Sequence, residues 1–221
     1  MATITDNISR IKQAKADIKE AIIAKGVEVE DDVRIDGYAE KISEIQQGGD
    51  KGWNAIVEII DTKKFGVINI RKITFEQGTI EITEAANGGT QLEEIVFNDD
   101  LEILGNNAFR GCTKLTSAVI PNSVTSILNS VFYNCANLEN VGPMPPNLTT
   151  IVNGAFLNCG KIKLFDFRRA NIVPTMPNIN AFNGTKGVMV VPDTLYDEWV
   201  SATNWATYAD RIIKASEYTE S

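Results

Sequence analysis

The 221-residue chain has no histidine. Its absence removes the commonest general base and the commonest metal ligand together. Cysteine is scarce: there are three, an odd number and too few for the disulfide framework of a small secreted domain. No run of about 18 apolar residues occurs, so no segment reads as a membrane-spanning helix. No Lys/Arg cluster occurs either. The formal net charge is −8, and acid exceeds base in both parts of the chain: seven Lys/Arg against eleven Asp/Glu in residues 1–50, fourteen against eighteen in the remainder. Without a basic footprint, neither nucleic acid nor an anionic membrane surface is an expected partner. The opening MATITDNISRIKQAKADIKEAII carries charges throughout and no apolar core of a signal peptide, so export by that route is not expected.

The remaining composition is that of a globular chain, 43% hydrophobic and long enough to bury a core. Residues 4–24 read as a helix. Ile4, Ile8, Ile11, Ile18 and Ile22, with Lys15 at the missing step, alternate by four and three, which is a heptad seam. Thr5 or Asp6 caps its start and Gly26 follows its end. Isoleucine at both seam positions leans toward three or four strands. The same spacing also fits a helix packed on its own chain. A turn, a short extended piece and a second helix with Tyr38, Ile42 and Ile45 on one face follow, and QQGGDKG at 46–52 breaks the chain. Over 53–85 the period changes: AIVEII, GVINIRKITF and TIEITEA are rich in β-branched residues, which is strand chemistry.

The three cysteines fall in one repeated phrase: AFRGCTKL, VFYNCANL and AFLNCGKI. Aligned on Phe109, Phe132 and Phe156, the copies are 23 and 24 residues apart. Six apolar columns hold register: Phe97, Ile120 and Met144; Leu101, Val124 and Leu148; Leu104, Ile127 and Ile151; the phenylalanines; Cys112, Cys135 and Cys159; and Leu115, Leu138 and Ile162. A worn fourth copy, AFNGTKGV, puts Phe182 in the aromatic column and Thr185 in the cysteine slot. Such a period marks a solenoid whose units bury their apolar sides against one another.

A metal site would need four ligands, often in close Cys pairs, whereas these thiols sit one repeat apart. The expectation is therefore core packing, with the thiols as small buried hydrophobes and no cofactor or metal. The acidic EDDVRIDG at 30–37 lacks EF-hand spacing and reads as a solvated loop, and Asn98-Asp99-Asp100 reads as a turn. Trp199, Trp205 and Tyr208 fit either a sugar-stacking platform or, better, a cap over the last solenoid unit. No nucleophile has an evident activator, so an enzyme is not expected.

Two resemblances follow from these residues. IPNSVTSILNSVFYNCANL resembles the BspA-type leucine-rich repeat, and VMVVPDTLYDEWVSATNWATYADRIIKASEY resembles that family's closing strand and helix; together they span about residues 91–221. Leu128 and Val152 stand where the family prefers Gly, and GPMPPNL replaces the usual Ile-Pro segment. Ile22, Lys25, Gly26, Val27, Val29, Tyr38, Ala39, Ile42 and Ile45 are similar to a module near the start of tail and appendage proteins of phages of gut bacteria.

The expected fold is α+β. A helical anchor, trimeric if the seam is a coiled coil, occupies 1–48 and a β-rich connection 49–90. A BspA-like leucine-rich-repeat solenoid follows at 91–192, with a helical cap at 193–221. The resemblances imply a structural virion protein of a bacteriophage, a fibre or spike on head or tail. It would be a homotrimer joined to other virion proteins through its N-terminus, adhering to a host protein or to host or mucosal surface glycans. The alternatives are a BspA-type adhesin on the bacterial cell surface and an assembly component that binds another phage protein. Replacing Ile11 and Ile18 with Asp should convert an oligomer to a monomer by light scattering. Unchanged size would show that the seam does not drive assembly.

Overall fold

The structure, a computed structural model, describes residues 55–61 and 69–220. The seam residues Ile4, Ile8, Ile11, Lys15, Ile18 and Ile22, the 30–37 loop and the phage-like module lie outside the described residues. The described chain winds as successive rungs, each crossing two parallel ladders of very short strands. In the first ladder, β1 (Ala55–Asp61) runs antiparallel to β2 (Asn69–Phe75). β2 pairs in parallel with β4 (Glu94–Val96), Ile73 opposite Ile95. Beyond β4 the pairing lapses for one rung and resumes in single bridges at Ser117–Asn140 and Pro143–Asp166. It ends in the parallel set β8 (Leu164–Asp166), β9 (Val188–Val191) and β10 (Ile212–Lys214). The second ladder contains β3 (Glu81–Ile82), β5 (Ile103–Leu104), β6 (Ser126–Ile127) and β7 (Thr150–Ile151), all parallel, with a last bridge from Thr150 to Thr175.

Both ladders run without interruption through position 90. Residues 69–90 are thus a full rung of the solenoid. In this rung AANGGTQL aligns with AFRGCTKL, Ala86 in the phenylalanine slot and Gly89 in the cysteine slot. The backbone confirms the alignment: Ala86 N–H donates to Ala108 O at 2.8 Å, as Phe109 N–H donates to Val131 O at 2.9 Å and Phe132 N–H to Ala155 O at 2.8 Å.

Each rung makes a tight bend around this slot, with left-handed backbone after it in all five and before it in the first four. Two residues before the slot, Glu84, Asn107, Ser130 and Gly154 have φ of 50°, 55°, 57° and 69°. Two residues after it, Gly88, Gly111, Asn134, Asn158 and Gly184 have φ between 61° and 78°. Asn and Gly tolerate this region best, which is why the sequence places them there. Between these positions the side chain turns inward. Phe109, Phe132, Phe156 and Phe182 are fully buried and stack face to face, with centroids 5.7, 5.6 and 5.5 Å apart. Five of the six columns are buried in every copy, and in the sixth Phe97 is half-buried against Phe75 and Phe109. Cys112, Cys135 and Cys159 are free thiols with no exposed surface.

The irregular copies keep the ladders. Leu128 N–H donates to Leu104 O and Val152 N–H to Ile127 O, each at 2.8 Å, so a side chain in place of Gly does not break the pairing. In GPMPPNL the prolines lie where no ladder donor is required, and Met144 N–H still reaches Asp166 O at 2.8 Å.

The end of the chain closes the core. In this closing part Tyr196–Ser201 (α1) is α-helical, whereas Trp205–Arg211 is a 3-10 helix. The single cap helix expected over Trp205-x-x-Tyr208-Ala209 is thus divided, because Asn204 takes a left-handed φ of 66° between the two pieces. β10 then joins β9, so the closing unit also extends the first ladder. Trp199 and Trp205 are fully buried. Trp205 lies 5.5 Å from Phe182 and donates its indole N–H to Pro174 O at 2.6 Å.

Cys135→Ala should lower unfolding free energy in urea by about 1–2 kcal/mol, from lost packing. It should change no metal content by elemental analysis. Ser130→Gly removes a Cβ from a left-handed position and should raise stability by about 0.5–1 kcal/mol in the same experiment.

Candidate functional site

With the apolar columns inside, the chemistry available to a partner is on the outer sides of the two ladders and at the corner between them. Pleating fixes which residues face out. On the first ladder Ile73, Ile95 and Ala118 face in, while Lys72, Thr74, Glu94, Val96, Ser117 and Val119 face out. The charged members pair across rungs: Lys72 with Glu94 at 2.7 Å, Arg71 with Glu93 at 3.1 Å, and Lys114 with Glu93 at 3.5 Å. The Arg71 guanidinium beside Glu93 holds that carboxyl below its usual range. Val96 and Val119 interrupt this polar face, at 38% and 54% exposure. Gly142 lies against Val119: a Cβ there would meet its Cγ1 at 2.8 Å, so glycine lets the valine lie flat on the next rung.

The second ladder presents hydroxyls. Thr149 Oγ1 donates to Thr125 O at 2.8 Å and Thr175 Oγ1 to Thr149 O at 3.1 Å, so the threonines tie successive rungs. At the corner leading into this ladder is a depression of about 680 Å³ lined by Gly78, Ile80, Asp99, Asp100, Glu102, Ser123 and Thr125. Asp100 accepts from Gly78 N–H at 2.7 Å, which positions one carboxylate across two rungs. Asp99, Asp100 and Glu102 form no ion pair among the described residues. Ile80, 52% exposed, supplies an apolar wall. The expected turn at Asn98-Asp99-Asp100 is therefore present: Asn98 is buried with its amide donating to Glu76 O, and the two aspartates are exposed beside it.

Charge is unevenly spread along the axis. Residues 69–110 carry eight carboxylates against three cations, whereas residues 111–192 carry two against six. In the later rungs Arg168 pairs with Asp166 through bonds of 2.9 and 2.8 Å, which holds the Asp166 carboxyl below its usual range.

The residues singled out from sequence divide clearly. Phe109, Cys112, Phe132, Cys135, Phe156, Cys159 and Phe182 are brought together, but as interior packing that no ligand reaches. Each thiol donates to the carbonyl of the phenylalanine slot one rung earlier: Cys112 to Ala86 O at 3.3 Å, Cys135 to Phe109 O at 3.1 Å and Cys159 to Phe132 O at 2.9 Å. Thr185 instead donates to Phe182 O in its own rung, at 2.7 Å. The neighbouring Cys135 sulfur and burial push the Cys112 and Cys159 thiols up. Trp199 and Trp205 are spent on the cap and present no face for stacking on a sugar. The corner depression was not foreseen. Its signal was the replacement of the Pro-Asn-Ser bend of the next rung by Asn-Asp-Asp, which exchanges a neutral corner for an acidic one. Among the described residues no group of three or more His, Cys, Asp or Glu is arranged to hold a metal ion, and no helix is long and apolar enough to cross a membrane.

These ladders and columns coincide with a family match. The model described as the BspA type leucine rich repeat region matches in six copies over residues 58–186. Among solved structures the chain is similar to a leucine-rich repeat protein from Bacteroides ovatus ATCC 8483, at 20% identity and a TM-score of 0.34; the match covers 62% of this chain and 36% of that one. No curated protein matches the chain. The repeat match spans more than half of the sequence, and the chain belongs to the BspA-type leucine-rich repeat family.

Proposed function

We propose that the protein is a non-catalytic binding and structural component whose solenoid presents its outer faces to a partner surface. The observation that carries this reading is the division of the rungs. The recurring phenylalanines and thiols are spent on the interior. The outer side offers flat polar ladders, the exposed Val96 and Val119, and an acidic, hydroxyl-lined corner with Ile80 as its apolar wall. Carboxylates and hydroxyls beside an aliphatic surface suit a polyhydroxylated ligand, because sugars offer donors at their rims and C–H groups on their faces. Host or mucosal surface glycan is the ligand class we assign to it.

The resemblance of about residues 8–45 to phage tail and appendage modules supports placing the protein on a virion, as a fibre or spike on head or tail. In that reading the N-terminal part anchors a homotrimer to other virion proteins. Several copies on one particle would then adhere by avidity, each contact being weak. The repeat family equally accommodates an adhesin on a bacterial cell surface, the second reading. In both, the solenoid performs the same adhesion.

The test uses the purified full chain on immobilised mucin glycans and on surface polysaccharide of gut bacteria. Binding is expected, and it should fall at least about tenfold in Val119→Asp and in the pair Asp99→Asn with Glu102→Gln, with folding unchanged by circular dichroism. No retention on any glycan surface would overturn the adhesion reading. Mass spectrometry of purified phage particles separates the two placements: the chain is present in the virion in the first and absent in the second.

A further inference from the structure

The three thiols form a contiguous column, and the geometry of that column supports chemistry that packing alone does not use. The slot repeats in register from rung to rung, held by a backbone bond from the residue just before it: Gly111 N–H to Tyr133 O and Asn134 N–H to Leu157 O, each 2.8 Å. The first rung shows how closely neighbouring slots approach. A Cβ built on Gly89 would lie 3.4 Å from Cys112 Sγ. In a disulfide, each Cβ lies about 3 Å from the far sulfur, a figure fixed by the bond lengths and angles. The Gly89–Cys112 pair of slots thus stands within a few tenths of an ångström of that distance, and the two cysteine pairs occupy the same slots in the following rungs. Gly89 and Thr185 end the column on its two sides, leaving two adjacent pairs: Cys112 with Cys135 and Cys135 with Cys159.

We propose that this column is a redox staple: a small peroxide oxidises Cys135, and one neighbouring thiol then closes a disulfide that ties two successive rungs together. The step balances. Cys135 S–H and hydrogen peroxide give S–OH and one water. The neighbouring S–H attacks that sulfur, the S–O bond breaks, and a second water leaves as the S–S bond forms. Two thiols lose two hydrogens, and peroxide is reduced to two waters. Cys135 belongs to both pairs, and one thiol always remains. The sulfurs have no exposed surface, so only an oxidant near the size of water reaches them without unfolding. The bond would join rungs that now meet there through S–H donors to carbonyls at 2.9–3.3 Å.

The experiment treats the folded full chain with hydrogen peroxide, then counts thiols in denaturant and maps linked peptides by mass spectrometry. The expected result is a fall from three thiols to one, a mass lower by two hydrogens, and a Cys112–Cys135 or Cys135–Cys159 linkage. Cys112→Ala should still close a bond, and Cys135→Ala should close none. The stapled form should melt several degrees higher, because the link restricts the unfolded chain. Three thiols surviving excess peroxide would overturn the proposal. So would oxygen gained without a linkage, a Cys112–Cys159 bond, or an unchanged melting point. If Cys135→Ala does not fold, the linkage map of the natural chain decides alone.

Discussion

The structure depends on one repeated event: a backbone amide in the bend of each rung bonds to the carbonyl of the next, with an aromatic ring turned inward between them. The bonds from Ala86 to Ala108, Phe109 to Val131, Phe132 to Ala155 and Phe156 to Ala181 are one contact made four times. They hold the rungs at the spacing at which phenylalanine rings stack at 5.5–5.7 Å. The ladder strands are only two or three residues long over most of the solenoid and would not pair alone. They persist because the bends and the apolar interior fix the register. Left-handed backbone on both sides of the aromatic slot is the geometric cost of that bend, and Asn and Gly reduce it.

That dependence explains what the sequence made legible. A column in which a large ring must stack on its neighbours admits few residue types, so Phe109, Phe132, Phe156 and Phe182 stand out, and the cysteines three positions later follow the same rule. The first described rung escaped because its slots hold Ala86 and Gly89. It kept the geometry, with Gly88 in left-handed backbone and Leu92 buried, while losing the bulky residues that advertise it. Its strands were read correctly from their β-branched residues, but strand chemistry does not say which ladder a strand joins. The divided cap was hidden for a related reason. The aromatic spacing from Trp199 to Tyr208 fits one helix, and nothing short of the packing around Phe182 reveals that Asn204 turns the chain left-handed midway.

The outer surface was the least legible part, because the repeat does not constrain it. Positions such as Val96, Val119, Asp99 and Glu102 alternate with core positions and are free to vary without disturbing a single column. Their arrangement appears only when the ladders set rungs side by side, bringing Gly78 against Asp100 and Gly142 against Val119. The freedom that hides these residues in the sequence is also what makes them useful: a surface uncoupled from stability can change its ligand while the interior stays constant.

The same separation bears on how the proposed adhesion and strength would combine in one chain. Contact made on the outer faces would load the solenoid along its length, and that load would pass from rung to rung. Between the third and fourth aromatic rungs the path changes character. Cys112, Cys135 and Cys159 each reach back to the preceding rung, but Thr185 bonds within its own. There the junction depends on other contacts, Asn158 N–H to Asn183 O at 2.9 Å and Phe156 stacked on Phe182, while the Arg211 guanidinium of the closing unit holds the far side of that rung by donating to Thr185 O at 2.6 Å. The closing unit thus does more than cover apolar surface. It also bonds Thr185, the residue that stands in the thiol slot of the last rung, so that rung is held from the cap side as well as by Phe156 and Asn158.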